Sequence, residues 1–136
     1  MITLALPFTP STNHYWRHVG LPNRAVKVYI SKQGKEYRER VARIIAGSGF
    51  AMVTSRVFMR VDLYPPDKRD RDLDNFDSKA LCDALTYGGL LEDDKLIRGR
   101  LSWFHDEETV KGGLVVVKLQ PIESVADIFG ANEDDF

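Results

Sequence analysis

Val57-Phe58-Met59-Arg60-Val61-Asp62-Leu63-Tyr64-Pro65-Pro66, followed by Asp67-Lys68-Arg69-Asp70-Arg71-Asp72-Leu73-Asp74, is the stretch that decides how this chain folds. In its first half Val57, Met59, Val61 and Leu63 alternate with Phe58, Arg60 and Asp62. That period of two marks a strand with one apolar face. Pro65 and Pro66 stop it, because proline has no N–H to give a ladder. Residues 67–74 are a charge-dense loop. Leu81, Ala84 and Leu85 then mark a helix over about 75–87, closed by Gly88 and Gly89.

Upstream, Ile2 to Leu6 reads as a strand closed by Pro7 and Pro10. Residues 8–25 read as a long polar and aromatic loop, and Val26 to Ile30 as a short strand. Ser31 is a plausible N-cap for a helix to about Ala46, with Tyr37, Val41, Ile44 and Ile45 on its apolar face and Gly47 and Gly49 at its end. Downstream, Leu96 to His105 and Leu114 to Leu119 read as strands, joined as a hairpin around Lys111-Gly112-Gly113. The order β-β-α-β-α-β-β predicts an α+β fold: a single small domain over residues 1–121, with a mixed β-sheet and two main helices. Residues 122–136 form an acidic tail, expected to be mobile.

The chain's 136 residues are one domain's worth. Its only cysteine, Cys82, excludes an internal disulfide framework and a Cys-rich zinc site, and is expected in the core. His14, His18 and His105 are too scattered for a His-Glu-x-x-His zinc site. No apolar run approaches the roughly 18 residues of a membrane span. The N-terminus is too short for a signal-peptide core, and a cytoplasmic location is expected. The net charge of −1 hides an asymmetry. Residues 1–71 carry 13 Lys/Arg against 5 Asp/Glu, and residues 72–136 carry 6 against 15. A basic half suits a polyanionic partner; the acidic half suits cation binding or a solvated surface.

Asp70, Asp72 and Asp74 share one face if the chain there is extended. Carboxylates brought together repel, and a divalent cation relieves the repulsion. Mg²⁺ prefers such hard oxygen ligands. A second cluster, Glu92-Asp93-Asp94, follows the helix. The helix runs about 20 Å forward at 1.5 Å per residue, and residues 88–94 could run as far back. That cluster could therefore meet its own Asp72 and Asp74 or those of a partner chain. Lys68, Arg69 and Arg71 interleave with the carboxylates as cations that hold backbone phosphates in phosphodiester chemistry. The plainer alternative is a solvated loop with Asp74 as a helix N-cap.

Several ordered motifs resemble the RusA family of Holliday junction resolvases across about residues 3–120. They are Pro10-Ser11-x-Asn13-x-Tyr15-x-Arg17-His18, then Ser31-x-x-Gly34-x-x-Tyr37-Arg38-x-x-Val41, then Pro66-Asp67-x-Arg69-x-Arg71-Asp72-Leu73-Asp74-Asn75, then Lys79-Ala80-x-x-Asp83-Ala84-Leu85, and finally Gly89 and Asp93-Asp94. The resemblance implies a RusA-like homodimer that binds four-way junction DNA and cuts two strands symmetrically with Mg²⁺, with Mn²⁺ as a substitute. It implies Asp72, Asp74 and Asp94 as catalytic, metal-binding carboxylates and Lys79 as the catalytic lysine. It suggests a phage or prophage origin and a role in recombination and repair. Two departures stand out. The family's lysine usually lies four residues after the second aspartate, whereas Lys79 lies five after Asp74. A later helix start or a π-bulge could absorb the extra residue. Asp70 stands where a basic residue is usual; it is expected either as an extra ligand or, the reading favoured, as a partner for Arg69 or Arg71.

DNA contacts are expected from Lys68, Arg69, Arg71, Asn13, Tyr15 and Arg17, with His14 and Trp16 beside them. Tyr15 and Trp16 could equally plug a local core. Asp83 is expected to pair with Lys79 one helical turn away, and Lys111 to be an ordinary exposed lysine. Pro66-Asp67 with Asp77-Ser78-Lys79 also fits the restriction-endonuclease-like pattern, although residues 77–79 look helical rather than extended. A junction-binding module without catalysis is the non-enzymatic alternative; the intact aspartates argue against it. The tail ends Glu133-Asp134-Asp135-Phe136, similar to the docking tip of bacterial single-stranded-DNA-binding proteins. It suggests a replication or repair protein as partner, through a ring in a pocket and acids against a basic rim; the alternatives are a solvated acidic tail that adds solubility and an autoinhibitory tail lying on the basic DNA surface.

Overall fold

The computed structural model describes residues 1–20, 22, 26–76 and 79–129. Its centre is β4 (Val57–Tyr64), whose Val57, Met59, Val61 and Leu63 are all buried. A strand so apolar on one face needs neighbours on both sides. It pairs antiparallel with β6 (Leu114–Pro121) and parallel with β5 (Ile97–Phe104). β1 (Ile2–Leu6) pairs antiparallel with the far side of β6, giving the order β1-β6-β4-β5. The hairpin expected between the last two strands is therefore not formed, because β4 lies between them. Gly112 and Gly113, both at positive φ, turn the chain between non-neighbouring strands instead.

A parallel pair needs a crossover, usually helical. α4 (Lys79–Tyr87) supplies it, burying Ala80, Leu81, Ala84 and Leu85, with Cys82 buried as expected. α2 (Lys32–Ser48) packs beside it through Tyr37, Val41 and Ile45. The two helices lie so close at Gly88 that a Cβ there would sit 2.6 Å from Ile45 Cδ1. Ser31 caps α2 as its sequence position predicts, its Oγ accepting from the Gly34 N–H at 3.0 Å. The helix continues through Gly47 and ends on left-handed Gly49.

The long loop expected over 8–25 is partly ordered into elements. Ser11 caps a single turn, α1 (Thr12–Tyr15), and β2 (Trp16–Gly20) pairs antiparallel with β3 (Val26–Ile30) as a separate two-stranded ribbon. The β2 segment has no clean apolar alternation, so its structure comes from pairing rather than from its own pattern. The ribbon is tied to α2 at one crossing. The Ser31 N–H donates to the Tyr15 carbonyl at 2.9 Å, and the Ser31 hydroxyl bonds the His14 carbonyl. Of the helix expected over 75–87, the described residues give α3 (Leu73–Phe76) and α4, and residues 77 and 78 lie outside the described residues.

On the other face of β4 lies a charge that the sequence reading does not single out. Asp62 is buried and accepts from Arg60 at 2.9 and 3.2 Å; its Oδ1 also lies 2.8 Å from His105 Nε2. Burial pushes its carboxyl up, but the hydrogen bonds from Arg60 and His105 outweigh that and hold it low. β6 runs two residues past its expected end. After it, residues 122–129 turn back, the Ile122 N–H donating to the Arg56 carbonyl and α5 (Ala126–Phe129) bringing Ile128 beside Gly99. The acidic tip lies outside the described residues. Among the described residues no helix is long and apolar enough to cross a membrane.

A Cβ on Gly34 would sit 2.6 Å from the Tyr15 carbonyl oxygen and 2.8 Å from Ile30 Cγ2, whereas one on Gly47 meets nothing within 4 Å. Gly34→Ala should therefore destabilise the fold by roughly 1–3 kcal/mol, as overpacking does. Gly47→Ala should be neutral or stabilise by up to about 1 kcal/mol. Urea denaturation of the two variants checks this; equal midpoints would contradict the close crossing.

Candidate active site

The loop after β4 is built on Asp67. Its Oδ1 accepts from the Arg69 N–H at 3.0 Å, Arg69 reaches its Oδ2 at 3.2 Å, and Arg71 Nη2 lies 2.9 Å from Oδ1. Arg71 also donates to the carbonyls of Asp67 and Arg69, and its guanidinium lies 5.9 Å from the Phe8 ring centroid. Its side chain is only 12% exposed, against 75% for Arg69. Arg71, expected as a phosphate contact, is thus an internal brace. The pairing expected for Asp70 goes to Asp67 instead, and Asp70 stays exposed. The hydrogen bonds from Arg69, backbone first and then side chain, hold the Asp67 carboxyl at about 2, with Arg71 adding to the effect.

The brace leads the chain into α3. Asp72 Oδ1 accepts from the Asp74 N–H at 3.1 Å, and the Asp72 carbonyl accepts from the Asn75 N–H at 3.1 Å. Asp72, not Asp74, holds the start of this turn, and both carboxylates remain exposed. Phe76 anchors the turn, its ring 5.6 Å from Phe8 and 5.9 Å from Phe104. Thr12 clamps it from α1, donating to the Asn75 carbonyl at 3.1 Å. Between α1 and this loop lies a cleft of about 390 Å³, with Ser11, His14, Arg69, Asp70, Asp72 and Asn75 on its walls.

Tyr15 is not available to DNA. It is 0% exposed, packs edge-on to Trp16 at 4.9 Å, and its hydroxyl bonds Asp83. Burial and the Asp83 carboxylate both push its phenol pKa upward. Asp83 is thus engaged by Tyr15, and Lys79 Nζ lies 5.4 Å from the Trp16 ring centroid, in place of the ion pair expected between them. α4 is described from Lys79, and the stretch expected to absorb the extra residue, by a later helix start or a π-bulge, includes residues 77 and 78, which lie outside the described residues. Asn13, Arg17, Lys68 and Arg69 are exposed. Thr12 and Phe76 are the positioning residues that the sequence reading misses; the only hint was their nearness to Asn13 and Asn75.

Asp94 lies elsewhere. It opens a short 3₁₀ turn, Asp94–Leu96, directly before β5, with Asp93 capping it through the Lys95 N–H at 2.8 Å. Buried Leu90 and Leu91 and the Val53 bridge fix its approach. α3 packs at the opposite end of β5, on Phe104. Seven residue steps at about 3.3 Å make that strand roughly 23 Å long. The parallel sheet therefore holds Asp94 away from Asp72 and Asp74 of the same chain. Among the described residues, no three His, Cys, Asp or Glu side chains gather as a metal group. The restriction-endonuclease-like pattern gains nothing here: Asp67 is committed to the arginines, Asp77 and Ser78 lie outside the described residues, and Lys79 is helical.

Comparison with known proteins shows the family to which this chain belongs. The family model described as "Endodeoxyribonuclease RusA" matches residues 6–117. A protein of Enterobacteria phage HK97 named crossover junction endodeoxyribonuclease rusA is 38% identical over 127 residues, 88% of this chain and 94% of its own length. A protein of the same name from Enterobacteria phage 82 is 46% identical over 95 residues, 67% of this chain and 72% of its own. That of Escherichia coli K12 is 43% identical over 96 residues, 68% and 72%. The chain belongs to the RusA endodeoxyribonuclease family.

The Asp67 carboxyl should titrate at about 2, below its ordinary 3.8. Because the folded value is the lower, the stability it contributes is complete above about pH 4 and is lost as pH falls toward 2. Carboxyl-carbon NMR titration of the wild type and of Arg69→Ala checks this. A midpoint near 3.8 in the wild type would contradict the arginine brace.

Proposed function

We propose that this chain nicks four-way DNA junctions by Mg²⁺-dependent hydrolysis, as a homodimer, with Asp72, Asp74 and Asp94 as the metal-holding carboxylates. The observation that carries this reading is the exposed Asp72–Asp74 pair, set on a braced turn at the mouth of a cleft with Arg69 on its wall. The relatives' shared activity supports it. All the donors are carboxylate oxygens, the hard ligands Mg²⁺ takes. Bound there, the ion would supply charge neutralisation at the scissile phosphate and a lowered pKa for attacking water.

The chain's own residues do the rest. Asp72 lines the cleft and Asp74 stands exposed on the same turn, which Asp67, Arg71 and Phe76 fix from beneath. Arg69, Lys68, Arg17 and Asn13 hold backbone phosphates. Lys79, steered by Trp16, neutralises charge that builds on the phosphate. Asp94 completes the set from a second copy, since its own sheet places it at the other end of β5. A two-fold dimer suits a junction with approximate two-fold symmetry, because it sets two sites on opposing strands.

Asp72→Asn should lower Mg²⁺-dependent nicking of a synthetic four-way junction by more than about a hundredfold while leaving binding intact. Near wild-type cutting by that variant would overturn the assignment, and binding without cutting by the wild type would select a non-catalytic module. Arg69→Ala should lower the salt slope of binding by about 0.9. Arg71→Ala should instead lower the melting temperature.

A further inference from the structure

Asp62 is a charge inside the sheet that the proposed site does not use. It lies on β4 between Trp103 of β5 and Val116 of β6, and its side chain is only 6% exposed. Burying a carboxylate costs more than burying an apolar side chain of similar size, unless hydrogen bonds offset the lost water. An apolar residue would fill this position without that cost. What the carboxylate adds is direction. Its Oδ2 accepts from Arg60 Nε at 2.9 Å, and its Oδ1 lies 2.8 Å from His105 Nε2. Against its burial, the hydrogen bonds from Arg60 and His105 keep Asp62 ionised. An ionised carboxylate only accepts, so His105 Nε2 carries the donated proton.

His105 is where that direction is used. It stands one residue past β5, and its backbone N–H donates to the Leu63 carbonyl at 2.8 Å. Its ring lies flat on Tyr64, with centroids 4.3 Å apart and planes 5° from parallel. Both supports of the Asp72–Asp74 turn start here. Tyr64 runs through Pro65 and Pro66 into Asp67, the root of the arginine brace, and the Val110 N–H ties the Pro65 carbonyl at 3.0 Å. Phe104, next to His105, projects to the opposite face. There it meets Phe76, the anchor of the turn, at 5.9 Å. Neither Asp62 nor His105 lines the cleft beside Asp72. We infer that Asp62 is a positioning residue for the proposed active site: through His105 it sets Tyr64 and Phe104, and through them the turn that carries Asp72 and Asp74. A loose ring at position 105 frees both supports at once, and the two carboxylates lose their shared geometry.

The effect on nicking rests on the carboxylate reading above; the effect on the turn does not, and two readouts keep them apart. One is the single-turnover nicking rate on a four-way junction at saturating Mg²⁺. The other is amide hydrogen exchange at Asp74 and Asn75, whose N–H groups bond Asp72 within the turn and open by local motion. His105→Phe keeps a ring against Tyr64 and removes the donor. It should slow nicking about tenfold, because small misplacements of reacting groups are costly. Junction affinity should hold, because the exposed Arg17 and Arg69 meet phosphates on long side chains. Exchange at both amides should speed up about tenfold. His105→Gln, which can offer its side-chain N–H to Asp62, should bring both readouts back near wild type. Ile45→Ala, a core truncation at the α2–α4 crossing, should lower the melting temperature and move neither readout. If His105→Phe does not fold, Asp62→Asn carries the same test, because it keeps the shape and loses an acceptor. Wild-type exchange at the turn in the variant that folds would overturn the inference. So would a His105→Gln variant as impaired as His105→Phe, or an Ile45→Ala variant that reproduces both changes, since either would reduce the pair to general stability. Faster turn exchange in the variant, with a wild type that does not nick junctions, would leave the positioning role standing and sink the catalytic reading alone.

Discussion

The parallel pairing of β4 with β5 is the constraint from which the rest follows. β4 is so apolar on its inner face that it takes the middle of the sheet, and its parallel neighbour can be reached only through a crossover. α4 is that crossover, and its apolar face against α2 closes the core. The same geometry sends residues 67–76 to one end of the sheet and residues 92–96 to the other. An antiparallel hairpin in place of this arrangement would have altered both the core and the separation of the carboxylates. Fold and site are thus set by one pairing.

A second constraint holds the N-terminal segment on the helices. Tyr15 is buried, Gly34 has no side chain to keep the backbones apart, and Ser31 bonds the backbone of His14 and Tyr15. Asp83 on α4 takes the Tyr15 hydroxyl, which ties α1 to the crossover helix as Ser31 ties it to α2. This explains why Pro10-Ser11, Ser31, Gly34 and Asp83 occur together in one chain. They are parts of a single joint that sets the cleft wall opposite Asp72, and Thr12 completes it by clamping Asn75.

Most of the strands and the long helix were legible because their residues carry their own periodicity and caps: Val57 to Leu63, Leu114 to Leu119, Ser31 with Gly49. What was not legible depends on pairing partners. β2 has no alternation to read, and the β5–β6 hairpin looked natural because glycines lie between two strands that in fact share β4 as neighbour. At the site, sequence placed Asp72 and Asp74 on an exposed loop but could not tell which cations serve that loop and which serve DNA. Arg69 and Arg71 are two residues apart and alike in type; only burial separates the exposed one from the brace. Tyr15 sits in a motif of polar and basic residues, and only its 0% exposure shows that it supports the site from below.

The central claim is that each site takes Asp72 and Asp74 from one copy and Asp94 from the other. Mixing two inactive variants tests it. Asp72→Asn and Asp94→Asn are prepared separately, dissociated and reassociated together, and assayed on a four-way junction with Mg²⁺. In a mixed dimer one shared site carries both substitutions and the other carries neither. About half of a statistical mixture is mixed dimer under two-fold association. The account predicts that the mixture regains nicking at one strand of the junction, while each variant alone stays inactive. A mixture as inactive as its components would contradict it, and would return the third carboxylate to the same chain or remove it from the site.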